Sequence, residues 1–379
     1  MIYLDNAATS WPKPPQMLEA LRDFAENWAA NPDRSCYRMG MESGQRIAQA
    51  RGGLAELLGA SDASRIVFTL NGTDALNMAI KGFLNDGDHV VTTSFEHNSV
   101  ARPLTALERA GRIKVTRVEP GKDLTLSPEA VRRHCTKGTR LVAVTAASNV
   151  FGTANDLAGL ARAAHDCGAV ILLDAAQAVG VLDINVEAMA LDMVAFPCHK
   201  ALFGPMGTGA LYVRPGLDLR PQREGGTGVR SEGDMHPEEM PYRLEGGTPN
   251  APGIAGLAAG LAFLRETGVR RIADREALLA KTFVDGIRGV SRVTILSRRQ
   301  NTGIVTLRVE GMPSQEVAAM LDAQYGIAVR GGLHCAPGAH RCLGTFPDGA
   351  VRISFGFFNR EDEAYSAAKA VAEITRTAL

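Results

Sequence analysis

Short apolar runs rich in β-branched residues alternate with helical patterns through most of the 379 residues. This alternation limits the fold more than any other feature, because it predicts an α/β protein with a largely parallel sheet. Two of the runs, at 141–145 and 170–173, have the apolar character of strands buried on both faces. The predicted strands are residues 66–70, 89–93, 141–145, 170–173, 193–196 and 209–213, and a helical pattern at 75–83 follows the first of them.

The pattern changes past residue 260, where helices and strands are mixed in a way that indicates a smaller α+β domain. Helical patterns lie at 256–267, 271–289, 314–325 and from 360 onward, and strand patterns lie at 293–296, 303–309, 327–330 and 351–355. A chain of this length exceeds one ordinary hydrophobic core, so two domains are expected. We predict a large domain at 15–260, and a small domain made of 1–14 and 261–379.

Bulk composition argues against several kinds of partner. Lys plus Arg equals Asp plus Glu at 41 each, so no overall basic field would attract nucleic acid or anionic lipid. The N-terminus lacks a signal-peptide pattern, and the longest apolar stretch, 253–264, is too short to span a bilayer. The six cysteines are scattered rather than arranged as a disulfide framework. We therefore expect a cytoplasmic protein with neither a nucleic-acid nor a membrane partner.

Polar loops follow several of the predicted strands. In open α/β sheets, ligands bind where the carboxyl ends of the strands meet. The sequence therefore predicts that five loops lie along one edge of the sheet, namely residues 72–74, 96–97, 148–149, 174–177 and 199–200.

Asp174 and Lys200 carry the first chemical signal. Asp174 ends the apolar run V-I-L-L-D, where a carboxylate needs a cationic partner or its pKa rises; a helix N-cap is the alternative. Lys200 lies in the apolar, aromatic loop P-C-H-K-A-L-F-G-P. Such surroundings favour a neutral amine that can form a Schiff base over a solvated surface charge.

A Schiff-base lysine and a partly buried acid together suggest pyridoxal phosphate, which needs both groups and a phosphate site. The N-G-T-D turn at 71–74 opens a helix and offers free backbone N–H groups and a hydroxyl. It is not a Walker A loop, and the glycines of 204–209 lack dinucleotide-binding spacing. His97 could lie flat on the cofactor ring; the alternative is a capping residue.

The segment R-G-G-L-H-C-A-P at 330–337 carries the second signal. Its glycines predict a flexible loop, on which Cys335, beside Arg330 and His334, could act as a thiolate. Cys335 could instead be an ordinary small residue. Zinc binding by His334, Cys335, His340 and Cys342 is a further alternative, which the spacing of these residues disfavours. We predict no metal site.

Two arginines beside predicted strands of the small domain are candidates for binding a substrate carboxylate. Arg330 and Arg352 could each form a bidentate pair with it. The alternative for each is a charge on the protein surface.

Eight motifs in order along the chain resemble the class V aminotransferase family and, more narrowly, its cysteine desulfurase branch. They are Y-L-D-N-A-A-T at 3–9, N-G-T-D-A at 71–75, E-H at 96–97, S-N-V-F-G at 148–152, D-A-A-Q at 174–177, H-K at 199–200, R-L-E-G-G-T-P-N at 243–250 and R-G-G-L-H-C-A-P at 330–337. The resemblance covers almost the whole chain.

This resemblance implies a fold type I pyridoxal-phosphate enzyme: a large domain with a mostly parallel, seven-stranded sheet, a small α+β domain, and a homodimer with active sites at the subunit interface. Lys200 would hold the cofactor, Asp174 would pair with its pyridinium and His97 would stack on its ring. The other implied cofactor contacts are Gln177 and Asn149 near the ring hydroxyl, Gly72, Thr73, Asp74 and His199 near the phosphate, and Thr248 from the partner subunit. Arg352, helped by Arg330 and Asn149, would bind the substrate carboxylate.

The implied reaction converts L-cysteine to L-alanine and leaves a persulfide on Cys335 for transfer to an acceptor protein. Alternatives on the same scaffold are a selenocysteine or cystine lyase and an aminotransferase, and a non-catalytic sulfur-relay or partner-binding protein is an alternative of another class. Three positions depart from the family pattern. Pro197 stands where Ser or Thr is common, Tyr37 where His is common, and Asn98 where some relatives carry a second His.

Overall fold

The structure is a computed structural model that describes residues 1–32, 37–230, 232–298 and 302–377. The strands are β1 (Ile2–Tyr3), β2 (Ile66–Thr69), β3 (His89–Thr93), β4 (Lys114–Val118), β5 (Thr139–Thr145), β6 (Val170–Asp174), β7 (Met193–Pro197), β8 (Gly209–Val213), β9 (Val293–Ile295), β10 (Ile304–Val309), β11 (Ile327–Ala328), β12 (Arg330–Gly332) and β13 (Ala350–Ser354). The α-helices are α1 (Pro15–Asp23), α2 (Arg38–Leu58), α3 (Gly72–Phe83), α4 (Asn98–Arg109), α5 (Pro128–His134), α6 (Leu157–Asp166), α7 (Ala251–Thr267), α8 (Val269–Ile287), α9 (Ser314–Tyr325), α10 (Pro337–Cys342) and α11 (Glu361–Thr377).

A seven-stranded sheet in the order β2-β8-β7-β6-β5-β3-β4 forms the centre of the molecule. The strands from β7 through β6, β5 and β3 to β4 pair in parallel, and β8 runs antiparallel to both of its neighbours. The predicted α/β fold with a mostly parallel sheet is confirmed. In this register Thr145 lies beside Asp174 and Asp174 beside Ala195, so the carboxyl ends of β5, β6 and β7 meet at one edge.

Two apolar layers cover the central sheet. On one face the sheet packs against α3 and α4, through buried residues such as Leu76, Ile80 and Leu104. On the other face it packs against α2, α6 and α7, through residues such as Leu54 and Leu160. The uniformly apolar strands are therefore explained, because their side chains are buried on both faces. Within the described residues, no helix is both long and apolar enough to cross a membrane.

The C-terminal part of the chain forms an antiparallel sheet in the order β12-β13-β10-β9, which shares a core with α8, α9 and α11. The N-terminal segment joins this part of the molecule, since β1 pairs in parallel with β11 and Asp5 bridges to Ser354. Helix α7 continues unbroken across residue 260. The division into domains at that residue stays a prediction.

Two expectations for residues 327–338 are wrong. The single strand expected at 327–330 is two short strands, β11 and β12, which belong to different sheets. The glycines expected to make a flexible loop lie instead in β12 and α10. A Cβ atom at Gly331 would collide with the Ser314 carbonyl, and one at Gly338 would collide with the Ser94 carbonyl. These glycines permit close packing of backbone on backbone.

Candidate active site

A cavity of about 220 Å³ lies at the edge of the sheet where β5, β6 and β7 end. Most residues predicted for the site line its wall: Gly72, Thr73, His97, Asn149, Asp174, Gln177, His199, Lys200, Arg330 and Arg352. The predicted convergence of the strand-end loops is therefore observed. Their individual chemical roles stay predictions.

Lys200 lies three residues beyond the end of β7, and the N-terminal segment holds its loop. The Ser10 hydroxyl donates to the Lys200 carbonyl at 2.8 Å, and the Thr9 hydroxyl donates to the His199 carbonyl at 3.0 Å. The Lys13 ammonium donates to the same His199 carbonyl at 2.5 Å. Burial lowers the pKa of the Lys200 amine to about 8, although the Asp174 carboxylate opposes this shift. The fraction of this amine that is neutral and nucleophilic near neutral pH is therefore much larger than for an exposed lysine.

Asp174 is the last residue of β6, and 4% of its surface is exposed. Burial raises the pKa of its carboxyl, while the Ala176 N–H and the Lys200 charge act in the opposite direction. Its Oδ1 accepts a hydrogen bond from the Ala176 N–H at 3.0 Å. The helix N-cap considered from the sequence is wrong, because residues 175–180 form a turn rather than a helix, and Asp174 lines the cavity wall.

His97 caps α4 and also faces the cavity. Its Nδ1 accepts a hydrogen bond from the Ser99 N–H at 3.1 Å, so the ring proton of the neutral imidazole lies on Nε2. Burial and the nearby Lys200 charge lower the pKa of His97 to about 4, which keeps the ring neutral. The Ser99 hydroxyl lies 2.9 Å from the same Nδ1 and 2.7 Å from the Thr73 hydroxyl. Sequence reasoning missed Ser99, whose signal was a second small polar residue at the helix start.

The start of α3 fits a phosphate group. Asn71 caps the helix, and its side-chain oxygen accepts a hydrogen bond from the Asp74 N–H. The other amides of the first turn therefore remain available to a ligand. The Thr73 hydroxyl and His199 face the same space. Among the described residues, the Nδ1 of His199 is buried without a hydrogen-bond partner. Pro197 contributes no donor here, and its ring packs against Gly72, where a Cβ would lie 3.0 Å from it.

The second wall of the cavity carries the two candidate arginines. Arg352 is 1% exposed, so the surface alternative for this residue is wrong. Its Nη2 pairs with Asp5 Oδ1 at 2.7 Å, and its Nη1 donates to the Asn149 carbonyl at 3.2 Å. Arg330 is half-buried, and its Nη2 lies 3.3 Å from Cys335 Sγ.

Cys335 lies next to the cavity wall, in a backbone turn that two long-range hydrogen bonds hold. His334 and Cys335 both have left-handed backbone angles, with φ of 51° and 58°, a conformation that costs roughly 1–2 kcal/mol per non-glycine residue. The Asn149 side-chain amide donates to the His334 carbonyl at 2.8 Å. The Asn98 N–H donates to the Cys335 carbonyl at 2.7 Å.

Two predicted residues lie elsewhere. The Asp74 carboxylate accepts from the Leu70 N–H at 3.0 Å and pairs with Arg223 at 3.2 Å, and it is not part of the cavity wall. Thr248 lines a separate groove, which also contains Leu70 and Glu245. A contact between Thr248 and the cofactor therefore depends on a partner subunit, and stays a prediction.

The residues considered as zinc ligands do not converge in the described structure. His334 and His340 bond to each other at 3.1 Å, while Cys342 Sγ contacts Ser94 at 3.3 Å and Glu119 at 3.2 Å. Among the described residues, no group of three or more His, Cys, Asp or Glu side chains is arranged to hold a metal ion. The cysteines other than Cys36, which lies outside the described residues, are free.

Glu96 is a second residue that sequence reasoning left without a role. It is 2% exposed and accepts hydrogen bonds from the Thr93 hydroxyl at 2.6 Å and the Thr145 N–H at 2.9 Å. Burial raises the pKa of its carboxyl to about 8. Tyr37, one of the departures from the family pattern, is 55% exposed and does not line the cavity.

Comparison with known proteins agrees with this geometry. Residues 2–365 match the model of the aminotransferase class-V family. The chain is 33% identical to a probable cysteine desulfurase from Methanothermobacter thermautotrophicus, over 98% of this chain and 94% of that protein. It is 34% identical to a cysteine desulfurase from Klebsiella pneumoniae, over 89% and 84% of the two chains.

Solved structures give the same result. The apo structure of a cysteine desulfurase from Thermococcus onnurineus superposes with a TM-score of 0.92 at 33% identity, over 99% of this chain and 94% of that chain. An Escherichia coli cysteine desulfurase in an S-sulfonic acid form superposes with a TM-score of 0.89 at 29% identity, over 98% and 94% of the two chains. With its sheet order, its cavity and its relatives in agreement, the chain belongs to the class V aminotransferase family.

Proposed function

We propose that the protein is a pyridoxal-phosphate-dependent cysteine desulfurase, which converts L-cysteine to L-alanine and forms a persulfide on Cys335. The observation that supports the proposal is that two candidate nucleophiles, an amine and a thiol, lie close to the same cavity. A buried amine with a lowered pKa, Lys200, lines the cavity, and Cys335 lies beside the Arg330 guanidinium on its rim. The relatives named as cysteine desulfurases, which match over nearly the whole chain, support it.

The described residues fit the cofactor. Lys200 would hold it and Asp174 would face its ring nitrogen, while Thr73, His199 and the amides of the first turn of α3 would hold its phosphate. When bound, pyridoxal phosphate supplies an electron sink for the bonds at the substrate Cα. His97 offers an aromatic face, and its neutral ring adds no positive charge beside the cofactor.

The chain's own groups divide the remaining work. Arg352 would bind the substrate carboxylate, with Asp5 holding one edge of its guanidinium in place. The Lys200 amine would take the proton from Cα and return it to Cβ. Cys335 would attack the substrate sulfur as a thiolate, favoured by the Arg330 charge at 3.3 Å. The Cβ–S bond breaks as the S–S bond forms, so cysteine and a thiol give alanine and a persulfide without an external oxidant.

The proposal extends to assembly and location. The protein would act as a homodimer in which Thr248 from one subunit completes the phosphate site of the other, and it would pass its sulfur to an acceptor protein in the cytoplasm. Thr248 lines a groove separate from the cavity in the described chain, so its contact with the cofactor would have to come from a second subunit.

The test is to mix the purified, cofactor-loaded protein with L-cysteine, without reductant, and to measure alanine and the mass of the intact protein. We expect alanine, and a mass gain of one sulfur atom on Cys335. Cys335→Ala should abolish both, whereas Cys342→Ala, which changes a thiol that contacts Ser94 and Glu119, should retain both. Lys200→Ala should be colourless.

Other outcomes would redirect or refute the proposal. The parent protein could be yellow, give no alanine from cysteine, and be active on selenocysteine, cystine or an amino-group acceptor. In that case the reaction would be that of a selenocysteine lyase, a cystine lyase or an aminotransferase. A colourless protein that pyridoxal phosphate cannot restore would show a non-catalytic role. Alanine production that survives Cys335→Ala would refute the persulfide mechanism.

A further inference from the structure

A buried chain of hydrogen bonds lies behind the Cys335 turn. It connects Thr345, His340, His334 and the backbone of Arg330. The Thr345 hydroxyl lies 2.8 Å from His340 Nδ1, His340 Nε2 lies 3.1 Å from His334 Nδ1, and His334 Nε2 lies 3.0 Å from the Arg330 carbonyl. His340 is 0% exposed and His334 is 2% exposed.

The direction of this chain follows from its last member. A carbonyl can only accept, so His334 Nε2 carries the proton and donates it to the Arg330 oxygen. In the neutral ring, His334 Nδ1 must then accept, which requires the proton of His340 to lie on Nε2. His340 Nδ1 in turn accepts from Thr345. Burial lowers the pKa of His334 to about 2 and that of His340 to about 4, so both rings are neutral.

The chain of hydrogen bonds reaches the turn that carries the thiol at His334, the residue before Cys335. His334 and Cys335 both hold left-handed backbone angles, which non-glycine residues keep only when the surroundings impose them. The His334 ring closes this turn onto the carbonyl of Arg330, whose guanidinium lies 3.3 Å from Cys335 Sγ. Alongside the Asn149 and Asn98 hydrogen bonds, this imidazole therefore joins the turn that carries the thiol to the backbone that carries its cationic neighbour.

We propose that His340 is a positioning residue for Cys335: through His334, it holds the thiol beside the Arg330 guanidinium. His340 itself does not line this cavity, and its ring hydrogen-bonds to His334 and Thr345 rather than to Cys335 or Arg330. Its effect on catalysis rests on the proposed function, but its effect on the thiol does not. Without the His340 donor, His334 Nδ1 is left as a buried acceptor with no partner, which weakens the hold of this ring on the Arg330 carbonyl.

The test compares variants in the rate at which Cys335 is alkylated by iodoacetamide, measured from pH 5 to 10 on the full-length, cofactor-loaded protein. His340→Leu removes the donor, whereas His340→Gln keeps an N–H near the position of Nε2. Loss of the Arg330 contact should lower the alkylation rate of His340→Leu at pH 7 by about tenfold, since the guanidinium would no longer lie against the attacking sulfur. His340→Gln should stay within about threefold of the parent in rate at pH 7, by retention of the hydrogen bond.

Two further measurements separate positioning from a general loss of structure. His340→Leu should keep the cofactor absorbance maximum and the affinity for cofactor, while kcat for alanine formation falls by about tenfold and KM changes little, because a misplaced nucleophile affects the chemical step. Thr345→Val removes only the hydroxyl that orients His340, and should lie between the parent and His340→Leu. If His340→Leu fails to fold, Thr345→Val replaces it as the test variant.

The proposal is overturned if the alkylation profile of His340→Leu coincides with the parent profile, even where the variant is less thermally stable. If His340→Leu does not fold, the same criterion applies to Thr345→Val. It is also overturned if His340→Gln is altered as much as His340→Leu. Absence of alanine from the parent protein would refute the proposed function instead, because the alkylation profiles need no substrate.

Discussion

Burial controls the charge of the side chains around Lys200. It lowers the pKa of the Lys200 amine to about 8, and it lowers the pKa values of His97 and His199 to about 4. The imidazoles are therefore neutral. They offer ring nitrogens and an aromatic face to the cavity, while the positive charge there comes from the arginines. Arg352 keeps its charge in a buried place because Asp5 pairs with it at 2.7 Å.

Pro197→Ser tests the wall of the predicted phosphate site. The new hydroxyl would lie beside Gly72 and could donate to the phosphate, which Pro197 cannot do. We expect about tenfold tighter binding of pyridoxal phosphate, the value of one hydrogen bond to a charged group. Titration of the apoprotein, followed by absorbance, measures this. Pro215→Ser, at an exposed position, is the control. Equal affinities in Pro197→Ser and the parent would place the phosphate elsewhere.

Arg352→Lys tests the binding of the substrate carboxylate. Lysine keeps the charge but loses the planar pair of donors, so KM for L-cysteine should rise by about 10- to 100-fold while the cofactor absorbance stays unchanged. Steady-state kinetics of alanine formation measure the effect. Arg117→Lys, in an exposed pair with Glu108, is the matched control and should behave as the parent. An unchanged KM in Arg352→Lys would assign the carboxylate to another residue.

Helices α3, α4 and α10 place the site residues, and each begins directly at the site. The caps of α3 and α4, Asn71 and His97, bond to amides of their own first turns. Helix α10 begins two residues after Cys335, and Gly338 allows its first turn to lie against the Ser94 carbonyl. The position of the cysteine therefore depends on how closely α10 approaches the loop after β3.

Gly338→Ala tests this approach. Its Cβ would collide with the Ser94 carbonyl, so α10 must shift, at a cost of about 1–3 kcal/mol in the free energy of unfolding. Gly52→Ala is the matched control within α2, where a Cβ meets no atom within 4 Å, and it should stabilise the protein by up to about 1 kcal/mol. Denaturant unfolding measures both, and alkylation of Cys335 reports the displacement. Equal stability of the two variants would contradict the close packing of α10.

At the scale of the whole molecule, two of the glutamate carboxyls in the described part of the chain, Glu96 and Glu276, are buried in separate regions of the core. Glu96 accepts hydrogen bonds from the Thr93 hydroxyl and from the N–H of Thr145, which lines the cavity. Glu276 lies on α8, is 8% exposed, and has no hydrogen-bond partner in the described structure. Burial raises the pKa of each carboxyl to about 8. Each therefore holds a proton in the folded state that the unfolded chain releases above about pH 4.5.

This linkage predicts a pH dependence of stability for Glu276. A raised carboxyl pKa contributes stability that is fully present below the unfolded value and is lost as pH rises toward 8. Between pH 6.5 and 8 the parent should lose about 2 kcal/mol relative to Glu276→Gln, and the histidine contributions, which are the same in both proteins, cancel in this difference. Asp274→Asn, exposed on the same helix, is the control and should follow the parent. Parallel curves for the parent and Glu276→Gln in chemical denaturation would contradict it.

The sequence by itself determined the sheet and the meeting of Asp174, Lys200 and Asn149, because strands buried on both faces have uniformly apolar sequences and parallel strands bring their carboxyl ends to one edge. The helix at Ser314–Tyr325 was predicted with its observed bounds, since its pattern is amphipathic and Gly326 follows it. These features depend on local chemistry and on one rule of topology.

Tertiary structure alone decided the contacts between distant segments. Asp5 meets Arg352 across 347 positions of the chain, and His340 is connected to the Cys335 turn only through the fold. The glycines of 331–338 are ambiguous in sequence, because glycine serves both flexibility and close approach, and only the nearby Ser314 and Ser94 carbonyls show which applies. Pairings of this kind depend on the three-dimensional distance between side chains, which no periodicity along the chain encodes.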